Sequence, residues 1–373
     1  MQGVARAILA YALTGDPLIT GLVGVGWAPT LTIVSLFGGV IGDRVDRRLL
    51  IQLTQLGNAA LAGIAAILIG TGIVAWWHLL AISVVQGSMF ALQMPARQAI
   101  VPALVGPEKT SNAIALNAMA MSLTTLVAPG IAGVLYDAFG AFGVYLVVTL
   151  MMVLAVGATS VVPRMHPDTE GPQRSTGAQI SEGLRYIAGN RLVLALMVQS
   201  VVVAVLSFPV RMLINIPATE VYQVSASGVG ALLSAAGLGG VVGATFIAGL
   251  RRGQQRGKIV LLAGVLSGIA VLGLAALPYF AVGLVAMVAL GLGESGRWAL
   301  GQALIIEETP DHLRARAMSV IMMAFGLMAV GQLLLGGLMR EVGTIEALWI
   351  FGAILTLAAC GFWMFSRRIR QLG

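Results

Sequence analysis

Apolar runs of about twenty residues recur along the whole chain, separated by short polar links. An α-helix needs about 20 apolar residues to cross a hydrocarbon core about 30 Å thick. The runs are continuous rather than alternating, which excludes the strands of a membrane barrel and leaves helices as the spanning element. The pattern predicts a short first segment ending near Leu13, before the turn "TGDP". Five spans follow, Leu18–Gly42, Leu49–Ala75, His78–Val101, Ala113–Tyr136 and Ala141–Val162. Beyond a polar stretch come six more, Leu192–Ile214, Ser227–Leu250, Ile259–Ala276, Tyr279–Ile305, Ala317–Met339 and Ala347–Phe365. The chain therefore reads as an all-α membrane protein of twelve segments.

Composition agrees. Apolar residues make up 58% of the 373 and charged residues 10%, where soluble domains carry about 25% charged; the mean hydropathy is +0.94. The net charge of +7 could point to nucleic acid, but basic residues collect in the cytoplasmic loops of membrane proteins. With the link at residues 43–48 placed inside, the loop arginines and lysines from Arg44 to Arg370 fall on the cytoplasmic side and Arg340 falls outside. This predicts a multi-pass protein of the plasma membrane with both termini cytoplasmic and no nucleic-acid partner. Cys360, the single cysteine, offers no disulfide. The first apolar run lacks the basic leader and cleavage site of a signal peptide.

The polar stretch "PRMHPDTEGPQRSTGAQISEGLRYIAGNR" opens with proline and glycine, as a linker does. Ile180, Leu184 and Ile187 then follow at helical spacing, which predicts a short amphipathic helix on the membrane surface. The expected organisation is a six-helix half at 1–162, a cytoplasmic linker at 163–191 and a second six-helix half at 192–373. A shift of 204 positions lays one half on the other, with Gln98 on Gln302, Ala99 on Ala303 and Ala113 on Ala317. The same shift places the expected start of the first helix about a dozen residues before Met1, so the first helix reads as truncated.

One link is unusual. "GGVIGDRVDRR" puts Asp43, Arg44, Asp46, Arg47 and Arg48 into six consecutive positions. Two six-helix halves joined by a cytoplasmic linker resemble the major facilitator superfamily of secondary transporters. That family's link between helices two and three reads G-x-x-x-D-R/K-x-G-R-R/K, matched here by Gly39, Asp43, Arg44, Arg47 and Arg48, with Asp46 at the usual glycine. "MPARQAIVPALV" and "NAIALNAMAMS" resemble the branch that includes siderophore (enterobactin-type) and macrolide exporters. The resemblance implies that Asp43 meets the start of helix eleven, which carries Arg314 and Arg316, as a latch on the cytoplasmic side. A carboxylate beside a helix N-terminus is favoured by about 1 kcal/mol. "APGIAG" keeps Pro129 and Gly133 of the helix-five motif of antiporting exporters. A proline bend beside a small-residue face, or plain small-residue packing, accounts for it.

Five ionisable residues lie in or near the spans: Arg6, Arg97, Arg211, Glu294 and Arg297. Each costs several kcal/mol if it faces lipid. They fall in helices one, four, seven and ten, which the resemblance places around the central cavity. Arg6, Arg97 and Arg211 lie near span ends, where they either line the cavity or reach the interface. Glu294 and Arg297 lie deeper and, one turn apart, either serve cargo and proton or neutralise each other. "GLGESG" fits a dinucleotide fingerprint but follows no strand. No phosphate-binding loop, metal-ligand spacing or nucleophile–base grouping occurs, so no enzyme, cofactor or metal is expected. The reading is a monomeric, proton-coupled exporter of small amphiphilic molecules working by alternating access. Four arginines against one glutamate lean toward anionic or zwitterionic cargo. An importer or uniporter of the same fold, a non-transporting sensor or assembly factor, and an inactive fragment are the alternatives.

Overall fold

The computed structural model describes residues 1–31, 33–34, 45–163, 185–250 and 255–372. The chain divides into two compact units, Met1–Gln173 and Arg174–Gly373.

In the first unit, helix α1 (Gln2–Thr14) stops at Gly15, which adopts the left-handed backbone conformation. Asp16 then caps α2 (Pro17–Val25), its carboxylate accepting from Leu18 N at 2.8 Å, with Pro17 in the first turn. Helical backbone continues to Leu31. Helix α3 (Arg47–Gly70) begins on the carboxylate of Asp46, which accepts from Leu49 N at 3.0 Å. Asp46 thus has a local task where the family pattern carries glycine: an N-cap contributes about 1 kcal/mol. Helix α4 (Trp76–Val105) follows, starting two residues before and ending four after the expected span.

Helix α5 (Thr110–Thr159) has 50 residues. At 1.5 Å per residue it would extend about 75 Å, more than twice the hydrocarbon thickness. Gly140, at φ 65° and ψ −173°, breaks it. The arms 110–139 and 141–159 are therefore two spans, as the apolar pattern predicts. The unit's core is small-residue packing: Ala62, Ala65 and Ala66 of α3 meet Val144, Tyr145 and Val148 of the second arm, with Ala5 of α1.

The second unit holds α6 (Arg191–Met212), the short α7 (Asn215–Glu220), α8 (Ala226–Ala248), α9 (Arg256–Ala276), α10 (Phe280–Glu307), α11 (Asp311–Val342), α12 (Thr344–Phe365) and α13 (Arg367–Arg370). Helix α7 lies in a stretch the apolar pattern leaves as a link. Tyr222, just after it, donates to Leu274 O at 2.8 Å, and burial pushes its phenol up to about 12. The glycines of "GLGESG" serve helix crossings. A Cβ on Gly291 would lie 1.9 Å from Ala236 O of α8, and one on Gly293 2.7 Å from Ala263 O of α9.

Residues 185–189 are helical. Ile187 packs into a core with Val193, Leu196, Val260 and Leu300. At this position the expected surface helix is covered by protein rather than lipid, because Ile187 finds an apolar pocket in its own unit; Ile180 and Leu184 lie outside the described residues.

Eight helices among the described residues are long and apolar enough to cross a membrane, the longest being the two-armed α5. With the shorter α1 and the helix from Pro17, with α11, and with the arms of α5 counted separately, the described residues supply twelve long helical segments. This is the twelve-helix architecture in two six-helix halves.

Candidate functional site

Polar side chains inside the second unit gather on α6 and α10. On α6, Ser200, Ser207 and Arg211 recur at near-helical spacing, with Gln199 beside them. On α10, Glu294 and Arg297 are one turn apart. Arg211 Nε stands 3.5 Å from Glu294 Oε2, both side chains largely covered, and the Arg211 guanidinium lies 5.4 Å from the centre of the Phe208 ring. Glu294 Oε1 is buried with no hydrogen-bond partner among the described residues.

Arg297 is only 4% exposed. Its Nη1 donates to Ser200 O at 2.8 Å, and its Nε is buried without a partner among the described residues. The expected (i, i+3) neutralisation of Glu294 by Arg297 is therefore not the direct contact formed. The α6 chain supplies both nearer partners, a guanidinium for Glu294 and a carbonyl for Arg297. Glu294 acts on Arg297 only through space.

Around Arg297, a small open cleft lies between α6, α10 and α11. Ser200, Trp298, Gly301, Gln302, Met197 and Met328 are among its walls. Gln199 and Ser207 lie behind, 1% and 0% exposed, with Gln199 Nε2 and Ser207 Oγ lacking partners among the described residues.

The first unit repeats the theme with one change. Arg6 of α1 donates from Nη1 to Gln86 Oε1 of α4 at 2.8 Å. Like Arg211, it is an arginine on the first helix of its unit that reaches the fourth span. There it meets an amide rather than a carboxylate. Tyr145, fully buried nearby, has a hydroxyl without a hydrogen-bond partner among the described residues.

The family described as transmembrane secretion effector matches residues 1–372. The chain belongs to that family, within the major facilitator superfamily. It is 28% identical over 379 residues to the enterobactin exporter EntS of Shigella boydii serotype 18, covering 97% of this chain and 84% of that protein. The enterobactin exporter EntS of Escherichia coli O139:H28 is 27% identical with the same coverage. A mutant form of the nucleoside transporter NupG shares the fold at TM-score 0.81 and 11% identity, over 97% of this chain and 94% of that one. A bacterial homologue of the human lysosomal transporter Spinster does so at 0.73 and 15%, over 99% and 94%.

This secretion effector is a multi-pass membrane transporter of the efflux type, and its family implies a small-molecule substrate. The remaining expected residues sit as follows. Arg97 is exposed on α4 and makes no hydrogen bond or ion pair among the described residues. Arg47 opens α3, and Arg48 Nη1 donates to Val162 O beyond the end of α5 at 2.8 Å. Arg314 is turned back on its own corner, its Nε donating to Ile306 O and Thr309 O at 3.0 and 3.2 Å. Pro129 lies half-buried inside the first arm of α5, with Gly133 buried one turn on. Gly39, Asp43 and Arg44 lie outside the described residues, as does the Arg316 side chain.

Sequence reasoning missed Gln86, Gln199, Ser207, Tyr145 and Trp298. Ionisable groups stand out in apolar spans, but a buried amide also demands a partner. Gln86 and Gln199 stand inside apolar runs as conspicuously as Glu294 does.

Proposed function

We propose that this transporter is a proton-coupled exporter of small amphiphilic molecules, siderophore-like or drug-like, that works by alternating access. The observation that carries the reading is the Arg211–Glu294 pair on α6 and α10. A carboxylate held inside a membrane protein by one arginine has two states. Charged, it binds the guanidinium; protonated, it releases it. Such a pair converts proton binding into a change of contact between two spanning helices. The kinship with enterobactin exporters supports export over uptake. Both termini are proposed to be cytoplasmic and the protein to act as a monomer.

The test is efflux from proteoliposomes holding the purified chain and a panel of siderophores and amphiphilic drugs. Cargo is expected to leave only while protons can run down a gradient in the opposite direction, and to stop when an ionophore collapses the gradient. Cargo movement that ignores the gradient sinks the coupling. In the same assay Asp43→Asn is expected to slow efflux several-fold with unchanged expression, because the charged link loses the acid proposed to close one face. A normal rate would reduce that link to topogenic charge.

A further inference from the structure

Helix α12 ends in an abrupt change of character. It is apolar and long enough to span, and its last turn leaves Met364 and Phe365 67% and 86% exposed. After Ser366 come Arg367 and Arg368, both exposed and without a side-chain hydrogen bond or ion pair among the described residues. Exposed apolar side chains on a spanning helix face lipid tails, so the two guanidiniums just beyond them stand at headgroup level.

The short α13 that carries these arginines is held in place. Ile369 is fully buried in the core with Val193, Val260 and Leu300. Gly257, in the first turn of α9, admits it: a Cβ there would stand 1.7 Å from Ile369 O, and Gly257 N donates to Leu372 O at 3.2 Å. Arg370 turns back on α12, its guanidinium 6.0 Å from the centre of the Trp363 ring and its Nη2 donating to Met364 O at 3.4 Å. At 3.6 residues per turn, Arg367 lies nearly opposite Ile369, with Arg368 beside it. Glu307, the acid bonded at this corner, is taken by Arg256, whose Nη1 is 2.9 Å from both its oxygens. The result is a fixed pair of cations beside exposed apolar side chains at the end of a spanning helix.

We propose that the end of α12 and α13 form a binding site for an anionic phospholipid. Its phosphate sits at Arg367 and Arg368, and its tails run along Phe365 and Met364. Guanidinium suits phosphate because its planar donors match two oxygens at once, and cations at a membrane surface draw in anionic lipid. The site goes beyond the export reading and does not rest on it.

Native mass spectrometry of the purified full chain in detergent tests it, with dioleoylphosphatidylglycerol and dioleoylphosphatidylcholine as probes that share their tails. The anionic lipid is expected to be retained at least tenfold more tightly. The double variant Arg367→Gln with Arg368→Gln should lose most of that preference and melt, without lipid, where the native chain does. Lys109→Gln with Arg185→Gln, the same change of charge at two exposed residues elsewhere, should keep the preference. Equal retention of the two lipids overturns the proposal. So does a preference that survives in the Arg367–Arg368 variant or falls equally in the Lys109–Arg185 one, since net charge would then account for it. Displacement of the lipid by sn-glycerol 3-phosphate at constant ionic strength would make the pair a soluble-phosphate site and overturn the lipid assignment.

Discussion

Glu294→Gln is expected to leave cargo binding nearly intact and to remove the dependence of efflux on the pH gradient. Glutamine keeps the shape and can still face Arg211, but it has neither the charge nor a proton to exchange. The Arg211–Glu294 contact then has one state where the native pair has two. Arg211→Gln is expected to be worse, because it strands a charged carboxylate among apolar helices. Removing one member of a largely buried pair commonly costs more than removing both. The double variant Arg211→Gln with Glu294→Gln should therefore melt at a higher temperature than Arg211→Gln alone, a coupling that separates a direct pair from two independent sites. Proteoliposome efflux across a series of imposed gradients gives the functional readout, and thermal unfolding in detergent the structural one. Gradient-dependent efflux that persists in Glu294→Gln removes Glu294 from coupling and leaves the pair as a structural contact.

That pair also marks how far the sequence carries. Spans were legible because one property, apolar length, decides them. Even the break in α5 follows from length, although only the structure puts it at Gly140. Local caps were legible in principle: Asp46 sits three residues before Leu49, where an N-cap carboxylate belongs. The charged motif around it masks that role. Partners across helices were not legible. From spacing alone, Glu294 has one visible neighbour, Arg297 at i+3. Its nearer partner, Arg211, is 83 positions away and is brought close only by the packing of α6 on α10. Arg297 was legible as an intramembrane charge, but its use of a backbone carbonyl was not, since every residue carries one. The task of the "GLGESG" glycines was not legible either, since it depends on which two helices lie beside them.

Those glycines carry the second large effect. Gly291→Ala is expected to disrupt the second unit, while Gly296→Ala, five positions on along the same helix, is expected to change little. At Gly291 a Cβ would stand 1.9 Å from Ala236 O, and reciprocally one at Gly239 would stand 2.0 Å from Val288 O. Both obstacles are backbone, so no rotamer change relieves them, and α8 and α10 must separate. Inside a membrane that separation is poorly compensated, because lipid is as apolar as the side chains and close packing of small residues is what holds the helices together. Overpacking of this kind costs about 1–3 kcal/mol or more. Separation would also move Glu294, on the same helix as Gly291, relative to Arg211 on α6. At Gly296 a Cβ would meet Ala263 Cβ at 3.5 Å and Ile247 Cδ1 at 3.8 Å, which is ordinary contact. Size-exclusion profiles and thermal unfolding of the two variants in detergent make the comparison. A monodisperse Gly291→Ala protein melting with the Gly296→Ala one would mean that α8 and α10 do not approach backbone to backbone.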